Sequence, residues 1–156
     1  MNRKDREIQD IDKILDVIQN ASIVNVAFYD KDYPYVIPLN YGYKYEDDNL
    51  TLYFHGSARG KKISIMKTID RVSFCLTSQD NTQGEGNIAC NYTTKYRSVC
   101  GYGIAKEVHP NEKLQSMDLI MKHYYPEKEF EFNEKMMDKT YFFKIEVVSF
   151  SGKANC

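Results

Sequence analysis

The 156-residue sequence predicts an α+β fold built on a small, mostly antiparallel β-barrel, and three observations lead there. Apolar residues switch between helical and strand periods in the order α-β-β-β-α-β-β-α-β. The links between the opening strands are too short for parallel crossovers, so those strands are expected to pair as an antiparallel meander. No Gly-x-Gly-x-x-Gly follows a strand, which disfavours a doubly wound sheet. Antiparallel strands with helices between them give an α+β class on a small barrel. The length fits one domain over residues 1–156, large enough for a real core.

Residues 1–9 are charged and read as a surface arm. Asp10 is placed to cap a helix with Ile11, Ile14, Leu15 and Ile18 spaced i, i+3, i+4, i+7, and Asn20 and Ala21 end it. Ile23 to Tyr29 reads as a strand and Asp30-Lys31-Asp32 as a turn. The stretch 33–62 organises the rest. Its first strand runs from about Tyr35 to Tyr45, with Tyr35, Ile37, Leu39, Tyr41 and Tyr43 on one face and Val36, Pro38, Asn40 and Gly42 on the other. Glu46 to Asn49 turn the chain, Leu50 to His55 return it, and Ser57 can cap a helix whose first turns hold Arg59, Lys61 and Lys62.

Beyond that helix, whose expected buried residues are Ile63, Ile65 and Met66, Arg71 to Leu76 is a strand. Thr77 to Thr94 is polar and irregular, carrying Gly84 and Gly86, and a loop that long is usually functional or mobile. Tyr96 to Val108 is a long strand in which Gly101 and Gly103 mark a bend or a close backbone approach. Pro110 opens a helix with Leu114, Met117, Ile120, Met121 and Tyr124 on one side, and Phe130 to Met137 reads as a short helix. Thr140 to Phe150 closes the fold, with Tyr141, Phe143, Ile145 and Val147 on one face. Repeats and low-complexity segments are absent.

The net charge of −1 gives no general attraction to nucleic acid or to anionic membranes. No apolar run approaches membrane-spanning length and the N-terminus has no signal-peptide core, so a cytoplasmic location is expected. Cys75, Cys90, Cys100 and Cys156 are scattered, and His55, His109 and His123 do not sit at metal-ligand spacing from them. No metal site is expected, and reduced thiols are the default. Thirteen Tyr and eight Phe with no Trp exceed what a core of this size needs, which points to a ligand cleft or a subunit interface.

The Ser57–Lys62 segment carries the most specific chemistry. A helix start has unpaired N–H groups and a partial positive charge, and cations clustered there oppose the macrodipole unless an anion sits among them. A hydroxyl and three cationic side chains make a seat for a phosphate monoester, and a solvated basic first turn is the alternative. Consecutive helical residues point about 100° apart, so Lys61 and Lys62 cannot serve one anion equally. No Ser-His-Asp or Cys-His arrangement and no carboxylate pair stands out, which suits a protein whose cofactor carries the chemistry.

Val36-Ile-Pro-Leu-Asn-Tyr-Gly-Tyr43, Leu52-Tyr-Phe-His-Gly-Ser57, Gly60-Lys-Lys62 and Tyr96-Arg-Ser-Val99 together resemble the pyridoxamine 5′-phosphate oxidase-related flavoproteins. The nitroimidazole-resistance (Nim-like) branch is the nearest match, and Arg3-Lys-Asp-Arg-Glu7 and Ser151-Gly-Lys153 resemble it too. The resemblance implies a split-barrel homodimer with FMN in each of two interface clefts. Ile37, Pro38, Leu39 and Asn40 resemble the strand beside the isoalloxazine ring, and Phe54, His55 and Gly56 the neighbouring edge. Ser57, Lys61 and Lys62 resemble the phosphate grip, and Tyr96, Arg97 and Ser98 the segment from the other subunit. His55 resembles a substrate-side residue, the catalytic candidate; the alternative is a hydrogen-bonded structural histidine. Asn40 has a rim-satisfying alternative and Arg97 a surface-charge one. The implied activity is an FMN-dependent oxidoreductase passing electrons from a nicotinamide donor to a small acceptor such as a nitroaromatic. Fold and cofactor transfer better than reaction. The competing readings are a flavin- or haem-binding protein without turnover and, less supported by the charge, an OB-like nucleic-acid binder.

Overall fold

The computed structural model describes residues 3–155, and for Gln79 and Asp80 the backbone alone. Met1, Asn2 and Cys156, which belong to the expected arm and cysteine set, lie outside the described residues. A short β1 (Glu7–Ile8) precedes α1 (Ile11–Asn20), whose N-cap Asp10 accepts a hydrogen bond from the Asp12 N–H as expected. Its buried side is Ile14, Val17 and Ile18, with Ile11 and Leu15 packed at the margin. β2 (Val24–Phe28), β3 (Tyr35–Leu39), β4 (Gly42–Glu46) and β5 (Asn49–Gly56) follow, then α2 (Lys61–Met66). β6 (Arg71–Gln83) and β7 (Thr93–Glu107) form the longest ladder region with β8 (Tyr141–Asn155). α3 (Lys113–Tyr124) and α4 (Glu134–Lys139) lie between β7 and β8.

Every strand pairing is antiparallel, in the order β3-β2-β6-β7-β8-β5-β4 with β1 beside β8. β3 and β4 are the two ends of that path and do not pair, so the sheet curls without closing: the fold is a split barrel. Phe28, Phe54, Phe74 and Phe143 fill the inside with Leu50, Leu52, Leu76 and Ile145. Across the gap, a chain of rings runs Tyr35–Phe28–Phe143–Phe54, with Phe54 stacked on Phe143 at 4.7 Å. No helix among the described residues is long and apolar enough to cross a membrane.

The expected single strand Tyr35–Tyr45 is two strands. Its alternation is real, but Tyr41 turns fully inward at the break, and its hydroxyl meets the Ile18 and Ala21 carbonyls at the end of α1. The opening meander therefore holds only in part: β2 pairs β3 and β4 pairs β5, while β3 and β4 separate. Half of the loop expected over Thr77–Thr94 is ladder, because β6 runs to Gln83 and β7 begins at Thr93, and the connection itself spans only residues 84–92. β8 likewise continues past Phe150 to Asn155, and the short helix begins at Glu134 rather than Phe130, capped by the Asn133 side chain. A 3-10 turn over Pro110–Glu112 precedes α3, whose buried side is Ser116, Ile120 and His123, while Leu114 is exposed. Polar groups occupy that side because they find partners: Ser116 donates to the Glu112 carbonyl and His123 Nε2 contacts the Ala21 carbonyl at 2.9 Å.

Candidate functional site

The candidate site begins where β5 hands over to α2. Leu50, Leu52 and Phe54 alternate into the core, which turns Tyr53 and His55 to the opposite face. Phe54 is wholly buried, so what it offers a ligand is backbone. His55 is exposed, sits opposite Phe142 in the ladder and has its ring 6.2 Å from the Phe142 ring. Partial desolvation on that side pushes its pKa below the ordinary histidine value, so the imidazole is neutral at pH 7.

Ser57 does not cap the helix. Its Oγ accepts from the Arg59 N–H and shapes the preceding turn, and the N-cap is Gly60, at φ +124°, where a side chain would be strained. The two lysines diverge as their adjacency requires. Lys61 turns toward the β2–β3 turn, pairing with Asp30 at 2.8 Å and lying 4.8 Å from the centre of the Tyr35 ring. Lys62 is half-buried and folds back over β5: a Cβ added at Gly56 would lie 3.6 Å from its ammonium. Among the described residues Lys61 has a carboxylate partner and Lys62 has none.

β3 faces the same gap as a free edge. Tyr35, Ile37 and Leu39 lean inward, and Val36, Pro38 and Asn40 are exposed. Pro38 has no N–H to donate, which an edge strand tolerates. Lys61 ties the Asp30–Tyr35 end of this edge to the start of α2, which follows Phe54–Gly56 directly in the chain, and this junction is the seam considered below.

Tyr96, Arg97 and Ser98 are elsewhere. They pair with the ends of β6 and β8, roughly 30 Å along β7 from the Glu107 end that adjoins the seam, at the rise of an extended strand. There Arg97 pairs with Asp16 of α1 at 3.4 Å, and hydrogen bonding to Lys153 and then Arg6 holds the Tyr96 phenol below its usual pKa. One chain thus joins Phe54–Gly56 to Ser57–Lys62 directly, reaches the β3 edge through the Lys61 contacts to Asp30 and Tyr35, and leaves Tyr96–Ser98 apart.

Two grooves accompany the seam. One of about 440 Å³ crosses the outer sheet face between Tyr29, Ser73, Tyr102 and Val148. The other, about 360 Å³, runs between the β2–β3 turn and α2, lined by Lys31, Lys61, Ser64 and Thr68 among others. Neither is lined by His55 or Lys62. In a single chain the seam is an open edge, not a cavity. Sequence reasoning missed Asp30 and Tyr35 as the partners that commit Lys61; the Asp-Lys-Asp turn was the available signal.

Among solved structures, this chain is similar to a candidate 5-nitroimidazole antibiotic resistance protein from Bacteroides thetaiotaomicron, at 27% identity and a TM-score of 0.79 over 95% of this chain and 86% of that one. It is also similar in fold to an FAD- and heme-binding protein from Mycobacterium smegmatis, with 15% identity, a TM-score of 0.81 and coverage of 96% and 73%. An FAD-binding protein from Mesorhizobium loti shares 24% identity at a TM-score of 0.64, with coverage of 97% and 98%. No curated protein matches the sequence. The profile of the pyridoxamine 5′-phosphate oxidase family matches residues 10–154, nearly the whole chain, and with the split barrel already in view the chain belongs to that family.

Proposed function

We propose that this protein is an FMN-binding flavoprotein of the cytoplasm. It acts as a homodimer and passes electrons from a nicotinamide donor to a small acceptor such as a nitroaromatic. The observation that carries the cofactor reading is Lys62: a half-buried cation, without a carboxylate partner among the described residues, folded over a glycine beside a free strand edge. The residues fit a flavin phosphate at that corner, and the relatives bound to FAD or heme support a flavin-sized ligand on this fold.

Bound flavin would supply the hydride and electron chemistry. The chain's own part is binding and orientation. Lys62 would neutralise the phosphate, and the Ser57 turn would present its backbone to it. The Ile37–Asn40 edge and Phe54–Gly56 would hold the ring. A neutral His55 polarises an acceptor oxygen by donating a hydrogen bond, which its lowered pKa favours over proton donation as a cation. Tyr96, Arg97 and Ser98, remote from their own chain's seam, close the partner's site.

The purified protein should absorb near roughly 370 and 450 nm, as oxidised flavin does. FMN should bind far better than riboflavin, since charge-assisted hydrogen bonds to phosphate contribute about 1.5–3 kcal/mol each. Lys62→Ala should weaken FMN by about tenfold or more and Lys61→Ala much less. Equal affinity for the two flavins would overturn the phosphate site. A Soret band in place of the flavin spectrum would favour the second reading, a haem-binding protein without turnover, which the heme-binding relative supports.

A further inference from the structure

We propose that Cys75 and Cys100 form a reversible dithiol–disulfide couple that staples the two central strands when the protein meets a low-molecular-weight disulfide. The two residues are directly opposite in the β6–β7 ladder, and their sulfur atoms are 3.2 Å apart. Directly opposed residues of an antiparallel pair have Cα and Cβ separations inside, or within about 1 Å of, the range that a disulfide spans. Closing the bond therefore takes side-chain rotation and little backbone movement.

Their surroundings favour this chemistry over the alternatives. Both project to the outer face of the sheet, because their neighbours Phe74, Leu76 and Val99 are the buried ones. In the same cross-strand row stand Asn25 on β2 and Ser151 on β8. Neither is a soft metal ligand, and no cluster of three metal-ligating side chains occurs among the described residues. The pair is two thiols and nothing more, which suits exchange and not metal capture.

Cys100 is exposed and Cys75 half-buried, which sets the order of events. The Cys100 thiolate attacks one sulfur of the small disulfide RSSR; a Cys100–SR bond forms, the RSSR bond breaks, and RS⁻ leaves and takes up a proton. Cys75 then gives up its proton and attacks the Cys100 sulfur, expelling the second RS⁻. Two protein thiols become one disulfide, RSSR becomes two RSH, and a thiol reductant reverses both steps. Burial and its partner raise the Cys75 thiol to about 11, which keeps it the resolving rather than the attacking group. The bridge lies next to the irregularity between Thr77 and Gln79 in β6, so it braces the hairpin where the ladder is least regular.

The test uses the full chain with Cys90→Ser and Cys156→Ser, treated under native conditions with oxidised glutathione. Intact-mass and peptide mass spectrometry should find a loss of two hydrogens and a crosslinked peptide pair joining Cys75 to Cys100, undone by dithiothreitol. The oxidised form should melt a few degrees higher. In the further Cys75→Ser variant, Cys100 should stop at a stable glutathione adduct. Unchanged mass, a lasting adduct at Cys100 with Cys75 present, or a link between two chains would each overturn the proposal. None of these readouts depends on flavin.

Discussion

β3 and β4 come from one run of alternating residues and meet opposite fates. β4 is clamped: α3 crosses it so closely that a Cβ at Gly42 would sit 2.5 Å from backbone atoms of Leu119 and Ile120. β3 is open: its second edge has no strand partner among the described residues, and Val36 is 56% exposed. The hinge is Tyr41, whose ring is fully buried and lies 4.4 Å, centre to centre and tilted, from the His123 ring of α3. The difference teaches that alternation alone does not say which end of a strand will be covered. A single inward tyrosine with hydrogen-bond partners at its tip divides a packed half from a half left exposed.

The sharpest break of this contrast is Gly42→Val. Valine must push helix backbone, which cannot rotate away, so destabilisation of about 3 kcal/mol or more is expected. Val36→Thr on β3 should change stability by no more than about 0.5 kcal/mol, since the site is an exposed edge. Urea unfolding of both variants checks it. Comparable losses would mean that β3 is as tightly packed as β4.

Tyr41→Phe tests the hinge itself. The hydroxyl has one hydrogen to share between the Ile18 and Ala21 carbonyls, and its removal leaves the ring in place. The expected loss is about 1–2 kcal/mol, with Ile18 O left buried and the Ala21 carbonyl still held by His123. A change indistinguishable from zero in the same unfolding experiment would show that packing alone divides the strand.

A smaller effect comes from pH. His123 is 8% exposed and ringed by Tyr41, Tyr43 and Tyr124; its Nδ1 is buried without a partner. Desolvation lowers its pKa, opposed in part by the hydrogen bond to Ala21. The unfolded chain therefore binds the proton first. The neutral ring's contribution is fully present above the unfolded value of about 6.5 and is lost as pH falls toward the lower folded value. Melting temperature should drop from pH 7 to pH 5, and His123→Phe should flatten that slope, leaving a residue from His55, which shifts the same way. An unaltered slope in the variant would move the pH dependence elsewhere.

Much of this was legible in the sequence where hydrophobic spacing and a local signal agreed. The Asp10 cap, the β5 alternation and the antiparallel pairing are such cases. The β6–β7 extension was not, because Thr77–Gln83 and Thr93–Thr94 are polar on both faces of a ribbon and leave no apolar period to read. The α3 face was misread for the opposite reason: Leu114 looks like core, yet Ser116 and His123 take the buried positions because each finds a carbonyl. At the candidate site, the angular argument anticipated that Lys61 and Lys62 diverge, but the proposed choice between them needed Asp30, more than thirty residues earlier in the chain.

That choice yields the smallest expected change in stability and the finest probe of the open half. Lys61 and Asp30 form a surface pair with side chains 56% and 22% exposed, so Asp30→Asn should alter stability by less than about 1 kcal/mol. Its consequence for binding is larger. Released from the carboxylate, Lys61 remains at the first turn of α2 beside the seam, one residue from Lys62, and its stem is long enough to swing. In a Lys62→Ala background, Asp30→Asn should therefore recover severalfold of the lost FMN affinity, read by quenching of flavin fluorescence on titration. The single Asp30→Asn variant should gain little, because on the proposed reading Lys62 already neutralises the phosphate. If the double variant binds no better than Lys62→Ala alone, Lys61 is held by the Tyr35 ring and not by Asp30, and β3 is tied to α2 by an aromatic contact instead of an ion pair.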